Sequence, residues 1–123
     1  METKPQSYKD LHVWKKGIEL AKIVYKVSAN FPAEEKIGLI AQLRRAVVSI
    51  PSNLAEGQAR RTTGEFVQFI SNAEGSLAEA DTQLILSVEL GLCRLGDVTH
   101  AHQIIADLQK MLNALRRKLV SRD

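Results

Sequence analysis

Residues 98–119, VTHAHQIIADLQKMLNALRRKL, carry the clearest structural pattern in the chain. Apolar residues recur there in alternating steps of three and four, at Val98, Ala101, Ile105, Leu108, Leu112, Leu115 and Leu119. This spacing places them along one side of an α-helix, as in the seam of a helix that packs in a bundle. A single apolar stripe has to be buried against another element, so the sequence predicts partner helices.

Asp10 is the predicted N-cap of a first helix with two neighbouring apolar stripes. The first stripe comprises Leu11, Trp14, Ile18, Ala21 and Tyr25, and the second stripe comprises Val13, Leu20, Val24 and Val27. We expect the helix to end at residues 30–32, because the residue before Pro32 avoids the helical region. Together the two stripes are wider than a small bundle core requires, which indicates a subunit interface.

The second helix is predicted to begin between Glu34 and Gly38. Its apolar rhythm continues past Pro51, so we expect a kink there rather than an end. Thr62 and Glu65 have the spacing of a capping box and predict the start of the third helix, at about residues 64–92. The segment 84–90, LILSVEL, is apolar nearly all round and is predicted to be covered on more than one side.

Gly91 and Gly96 bracket the next turn, and Asp97 is the predicted cap of the fourth helix. Short connections imply antiparallel neighbours. The sequence therefore predicts an all-α fold, an antiparallel up-down-up-down four-helix bundle whose second helix is kinked near Pro51. We expect one domain over residues 1–123, with residues 1–9 flexible.

Composition and charge narrow the classes of function. The single cysteine, Cys93, excludes an intrachain disulfide and a cysteine-based zinc site. No stretch approaches the roughly 18–20 apolar residues of a membrane span, and we expect a cytoplasmic protein. The net charge is +3, but residues 62–95 carry −4 while the other segments are basic. Such polarity fits an anionic partner or self-association and does not separate them.

The tract QLRRAVVSIPSNLAEG, residues 42–57, resembles a family of small four-helix-bundle proteins encoded by intervening sequences inside bacterial 23S ribosomal RNA genes. The resemblance continues through DLHVW at 10–14, FP at 31–32, EF at 65–66, GSL at 75–77 and TQL at 82–84, with the fourth helix similar in pattern only. Departures are small: Ile37 replaces a usual aromatic residue, and Ala80-Asp81 replaces the usual Leu-Glu.

The resemblance implies an up-down four-helix bundle. It also implies similarity to the accessory protein of diversity-generating retroelements, a pentameric barrel with a basic surface that works with RNA and reverse transcriptase. A homopentamer and an RNA or DNA partner are therefore expected. The location of a gene inside an RNA gene does not by itself assign a biochemical role.

Two groups of basic residues are candidate phosphate contacts: Arg44, Arg45, Arg60 and Arg61 flanking the second helix, and Arg116, Arg117 and Lys118 near the C-terminus. Guanidinium groups match phosphate oxygens without reading base sequence. The alternative is ordinary solvated charge near helix C-termini. Because Arg44 and Arg45 point about 100° apart, at most one can face a given groove. The other is expected to pair with an acid such as Glu56, Glu79 or Asp81.

A set of polar residues lies in or beside the apolar stripes: Ser52, Asn53, Glu56, Glu65, Ser76, Glu79 and Gln83. They could line a catalytic pocket, but a structural hydrogen-bond network that fixes the kink and the helix register is favoured. His100 and His102 diverge by about 200° on a helix and make a poor metal pair. We therefore predict no catalytic residue, no metal and no cofactor. The aromatic residues fit core packing, with stacking on bases left open for Tyr8.

Three hypotheses of function follow. The first is a non-catalytic homo-oligomer that binds RNA or DNA through the phosphate backbone. The second is a protein-interaction scaffold, in which the acidic third helix meets basic faces of sister subunits or of a partner. The third, an enzyme or a small-ligand binder, is the least favoured.

Overall fold

The computed structural model describes residues 7–35 and 38–121. Four α-helices account for most of this part: α1 (His12–Ser28), α2 (Leu39–Gln58), α3 (Thr63–Glu89) and α4 (Leu95–Val120). Short 3₁₀ turns at Tyr8–Asp10 and Ala33–Glu35 precede α1 and α2. Within these described ranges no strand occurs, so the predicted all-α fold with four helices is confirmed. The flexibility predicted for residues 1–9 falls, for residues 1–6, outside the described residues.

The core is built from one apolar face of each helix. The alternating stripe of α4 is confirmed, since all its residues are buried except half-buried Leu115. In α1 the second stripe packs in the core, while the first stripe lies at the edge of the core, with Ile18 and Tyr25 exposed. The largest fully buried side chains come from all four helices: Leu20, Val24, Leu43, Val47, Ile50, Leu54, Ile70, Leu77, Leu84, Ile105, Leu108 and Leu112.

Helices that follow one another in the chain are also neighbours in space, with the most extensive contact between α2 and α3, and α4 returns against α1. Contacts between consecutive helices pair residues in opposite chain order: Gly17–Pro51 with Ser28–Arg44, Ser49–Ser76 with Gly57–Phe69, and Asp81–His102 with Glu74–Arg116. Each helix is amphipathic, and such ring-like neighbour packing lets one stripe per helix face a common core.

Pro51 lies inside α2, which is helical through residues 39–58. The proline ring is buried against Gly17 of α1, with its Cδ atom 3.4 Å from where a Cβ of residue 17 would be. Pro51 has no N–H, which leaves the carbonyl of Val47 without its usual helical donor. The hydroxyl of Ser52 and the amide of Asn53 donate to the neighbouring carbonyls of Val48 and Ser49, each at 2.8 Å.

Gly57 brings the C-terminal end of α2 close to the start of α3. A Cβ atom at this position would be 2.7 Å from the Cβ of Phe69 and 2.9 Å from Cδ1 of Phe66. Real Cβ contacts are longer, so a side chain here would push the two helices apart. The role of Gly57 is therefore to allow this close approach of α2 and α3.

Two of the predicted helix caps differ from the observed ones. Asp10 does not cap α1, because it belongs to the 3₁₀ turn and Leu11 holds the cap position. Asp97 is the third residue inside α4, where its carboxylate accepts the N–H of Arg94 at 2.8 Å. Thr62 is confirmed as the N-cap of α3, since its hydroxyl oxygen accepts the N–H of Glu65 at 3.1 Å.

The turn between α3 and α4 depends on Gly91, which has a φ of +75°. The N–H of Gly91 donates to the carbonyl of Val88, and the N–H of Leu92 donates to that of Ser87, at 3.0 and 2.9 Å. This is the Schellman arrangement, in which a residue of left-handed conformation ends a helix. Glycine adopts that conformation at no steric cost, so the predicted turn follows from Gly91 alone.

Candidate nucleic-acid interface

The seven candidate basic residues do not form one surface. Arg44 and Arg60 are 16 positions apart along α2 and its end, which corresponds to about 24 Å of helix axis. Arg116 contacts Ser71 and Glu74, in the part of α3 that follows Arg60 and Arg61. The seven residues thus lie in separate places, with Arg116 against the first half of α3 and with Arg44 and Arg45 far along α2 from Arg60 and Arg61.

The side chain of Arg44 binds groups at the C-terminal end of α1. Its Nε donates to the hydroxyl of Ser28 at 2.9 Å, and its Nη2 donates to the carbonyl of Tyr25 at 3.2 Å. The guanidinium also stacks over the Tyr25 ring, 4.5 Å from the ring centroid. The expected pairing with an acid is therefore wrong, because a cation here satisfies a helix C-terminus. Arg45 is exposed on the surface of α2.

Arg116 is also held by protein groups. It is half-buried, pairs with Glu74 and donates to the hydroxyl of Ser71 at 3.0 Å. Arg60 stacks on Phe69 at 4.8 Å and lies 3.9 Å from the carboxylate of Glu56.

Four cations remain at the surface where α2 and α4 end: Arg60, Arg61, Arg117 and Lys118, all exposed. We call them the arginine end patch. Arg60 keeps its charge at the surface while its flat guanidinium covers an aromatic ring. Together with Arg45, these four cations are the predicted basic residues that stay exposed.

The predicted polar network divides into separate local arrangements. The amide of Asn53 donates to the hydroxyl of Ser49 at 2.8 Å, and the hydroxyls of Ser49 and Ser76 are 2.9 Å apart. Ser49, absent from the predicted set, thus joins α2 to α3. Ser52 bonds within its own helix, and Glu56 pairs with Arg60.

Glu65 and Glu79 each bond a residue of their own helix. The carboxylate of Glu65 accepts the hydroxyl of Thr62 at 2.9 Å, and that of Glu79 accepts the Gln83 amide at 3.3 Å. Gln83 is 7% exposed, and its Oε1 is buried without a hydrogen-bond partner in the described part of the chain. A buried orphan carbonyl costs stability, so Gln83 is the one member of the set that its neighbours do not satisfy.

A basic surface that sequence reasoning missed lies where α1 and α4 pack. Three shallow clefts follow this seam, and successive clefts share Lys15 with Glu19, and then Lys26. We call the continuous depression the lysine groove, after Lys15, Lys16, Lys22, Lys26 and Lys110. The excess of lysine in α1 was visible in the sequence, but the contribution of α4 requires the packing.

Exposed apolar side chains cluster around the corner between α3 and α4. Ile85, Leu86, Leu90 and Leu95, the apolar corner, are between 43% and 67% exposed. The expectation that segment 84–90 is covered on more than one side is thus wrong for the chain alone. Tyr25 of α1 and Val48 of α2 are also exposed, and Ile18 lines one of the clefts of the lysine groove.

Groups with reactive chemistry are few and dispersed. Within residues 7–35 and 38–121, no three His, Cys, Asp or Glu side chains are placed to hold a metal ion. His102 Nδ1 lies 2.9 Å from Asp81 Oδ1 and links α4 to α3. Burial, with the nearby charge of Asp97, raises the pKa of the Cys93 thiol, which disfavours the nucleophilic thiolate.

Tyr8, a candidate for stacking on bases, is half-buried and packs edge-on against Trp14, with ring centroids 5.4 Å apart. No helix in the described part of the chain is long and apolar enough to cross a membrane.

Comparison with known families matches residues 9–114 to the model of the 23S rRNA-intervening sequence protein. The chain belongs to this family. The family match extends well into α4, beyond the segments that carry the sequence resemblance. It includes Arg44, Arg45, Arg60, Arg61 and the five lysines of the groove, whereas Arg116, Arg117 and Lys118 follow its end. Among curated proteins, none matches this member of the family.

Proposed function

We propose that this family member is a non-catalytic, cytoplasmic, homo-oligomeric protein that binds nucleic acid through the phosphate backbone. The observation that carries the proposal is the arginine end patch, in which four exposed cations lie where two helices end. Arginine and lysine bind phosphates without reading bases, and such contacts supply most of sequence-independent affinity. An up-down-up-down bundle, bent at Pro51, would place the ends of α2 and α4 at the same end of the molecule, on diagonally opposite helices.

Self-association is part of the proposal. The apolar corner, with Tyr25 of α1 and Val48 of α2, leaves large apolar side chains in water. Contiguous exposed apolar surface typically marks an interface. The resemblance to the pentameric retroelement accessory protein suggests about five copies, which would bring together as many arginine end patches and strengthen binding by multivalency.

A salt titration of RNA affinity tests the binding function. A fluorescent single-stranded RNA of about 30 nucleotides and a duplex DNA are titrated with protein between 50 mM and 500 mM salt. We expect the logarithm of affinity to fall linearly with the logarithm of salt, since each neutralised phosphate releases condensed counterions. Undetectable binding to both probes at 50 mM, or affinity that does not change with salt, would overturn the proposal.

The second candidate function is a protein-interaction scaffold, and the apolar corner is the observation that favours it. Its residues adjoin the acidic half of α3, which could meet a basic face of another subunit or partner. Light scattering at micromolar concentration measures the mass of the particle directly. A mass several times the 13.7 kDa of one chain, together with no RNA binding, would favour the scaffold. A particle mass equal to that of one chain would contradict self-association in both candidate functions.

A further inference from the structure

The lysine groove runs along the seam between α1 and α4. At one end it is lined by His12, Lys16, Lys110 and Met111, and at the other by Lys26, Asn30, Cys93 and Arg94. From His12 to Lys26 it follows 14 steps of α1, or about 21 Å of helix axis. The groove is therefore long enough to follow a polymer rather than to enclose a small molecule.

Charge in the groove is strongly unbalanced. Lys15, Lys16, Lys22, Lys26, Lys110 and Arg94 line it with only three acids, which gives a net +3 without counting histidines. The whole chain of 123 residues carries the same net charge. The groove thus holds the excess positive charge of the protein, while positive and negative charges balance over the rest of the chain.

The three acids of the groove are already engaged. Lys16 lies 3.5 Å from the carboxylate of Glu19 and 3.8 Å from that of Asp107. Asp97 accepts the backbone N–H of Arg94. One lysine thus occupies two of the carboxylates, and the other four ammonium groups are exposed along the same depression.

We propose that the lysine groove binds the phosphodiester backbone of a nucleic-acid strand, an inference that rests on the proposed function and assigns it a second contact surface. At about 3.4 Å per nucleotide in one strand, 21 Å of groove accommodates roughly six phosphates. Ammonium groups act as mobile point charges that contact phosphates without reading base edges. The clefts are also lined by the apolar residues Ile23, Val27 and Met111, against which lysine stems can pack while their ammonium groups stay in water.

The composition of the groove favours a nucleic acid over an acidic protein. Protein–protein interfaces are depleted in lysine and enriched in aromatic residues. Among the described residues that line the groove, none is Phe, Tyr or Trp and five are lysine. Of the large apolar side chains that are exposed in the described part of the chain, only Ile18 lines the groove, and the others lie outside it, mainly at the apolar corner.

A pair of charge-matched variants tests the groove. The groove variant carries Lys15→Gln, Lys22→Gln and Lys26→Gln. The control variant carries Gln42→Glu, Gln68→Glu and Gln109→Glu, at exposed positions outside the groove and outside the arginine end patch. Both variants lower the net charge by three, so only the location of the change differs. A third variant with Lys→Arg at the three groove positions keeps the charge.

The variants are compared by anisotropy with the same single-stranded RNA over the salt range, after light scattering and thermal unfolding confirm an unchanged mass and fold. Each single-strand phosphate contact contributes about 0.7 to the salt slope, so we expect the slope of the groove variant to fall by about 2. If the affinities converge at 500 mM salt, this corresponds to a loss on the order of 100-fold at 50 mM. The control variant should lose only a few-fold, and the arginine variant should bind like the wild type.

Each outcome bears on a different statement. Salt-dependent binding by the wild type, with equal affinities for the groove and control variants, would overturn the groove proposal and leave the proposed function intact. Failure of the wild type to bind would overturn the proposed function itself. A poly-glutamate peptide serves as a probe of the other partner class. If the groove variant loses peptide binding but keeps RNA binding, the groove is a protein site and the inference is wrong.

Discussion

Replacing Gly57 with alanine tests how closely α2 and α3 approach each other. The added Cβ would lie 2.7 Å from the Cβ of Phe69 and 2.9 Å from Cδ1 of Phe66. The Phe69 atom is next to the backbone, so rotation of a side chain cannot relieve the overlap. The helices have to separate, in the region of contact that is the most extensive in the fold.

Overpacking of this kind costs about 1–3 kcal/mol. Alanine would regain up to about 1 kcal/mol of helix propensity in a helix interior, and less at Gly57 because it is the penultimate residue of α2. We therefore expect a net loss of about 1–2 kcal/mol. Gly75→Ala is the matched control, since Gly75 is exposed in the middle of α3 and a Cβ there meets no atom within 4 Å. It should gain about 0.5–1 kcal/mol.

Urea unfolding followed by far-ultraviolet circular dichroism measures both variants. Protein concentration is held constant, because the apparent stability of an oligomer depends on it. The two substitutions are chemically identical, so opposite signs isolate the effect of the close approach. A Gly57→Ala protein as stable as the wild type, with Gly75→Ala behaving as expected, would refute the described packing of α2 on α3.

Three further predictions concern other parts of the molecule. Arg44→Lys should lower the free energy of unfolding by about 1 kcal/mol, because an ammonium lacks the planar guanidinium that stacks over the Tyr25 ring and reaches Ser28 and the Tyr25 carbonyl as a fork; unchanged urea stability would contradict this role. Alkylation of Cys93 by iodoacetamide at pH 8 should be slower in the folded protein than in urea, and Asp97→Asn should speed it, because a raised thiol pKa leaves less thiolate at that pH; an equal rate with and without urea would count against it. Leu86→Glu with Leu90→Glu should reduce the particle mass in light scattering while secondary structure is retained, because both side chains are exposed in the single chain; an unchanged mass would place the interface elsewhere.

The sequence predicts the structure best where the pattern is local to a single helix. The stripe of α4 and the Thr62 cap are local patterns, and both appear as predicted. Asp10 was misassigned because Ser7 caps a short 3₁₀ turn, which moves the start of α1 to His12. A side-chain preference for cap positions cannot distinguish these alternatives when two polar residues lie so close together.

The candidate site was harder to predict because it depends on which helices meet. The partners of Arg44 include a backbone carbonyl of another helix, which residue types do not reveal. Ser49 and Ser76 are 27 positions apart and meet only because α2 packs on α3. The lysine groove likewise needs Lys110 of α4 beside α1. The sequence shows where the arginines are concentrated, but which positive charges remain accessible depends on how the helices pack.

The most direct test of nucleic-acid binding at these surfaces is lysine footprinting with an amine-reactive reagent and mass spectrometry. The modification rates of Lys15, Lys22, Lys26 and Lys118 are measured in 50 mM salt with and without single-stranded RNA. The account predicts that RNA slows modification at all four residues and that the protection disappears in 1 M salt, where screening removes phosphate contacts. Equal modification rates with and without RNA at 50 mM salt would contradict it.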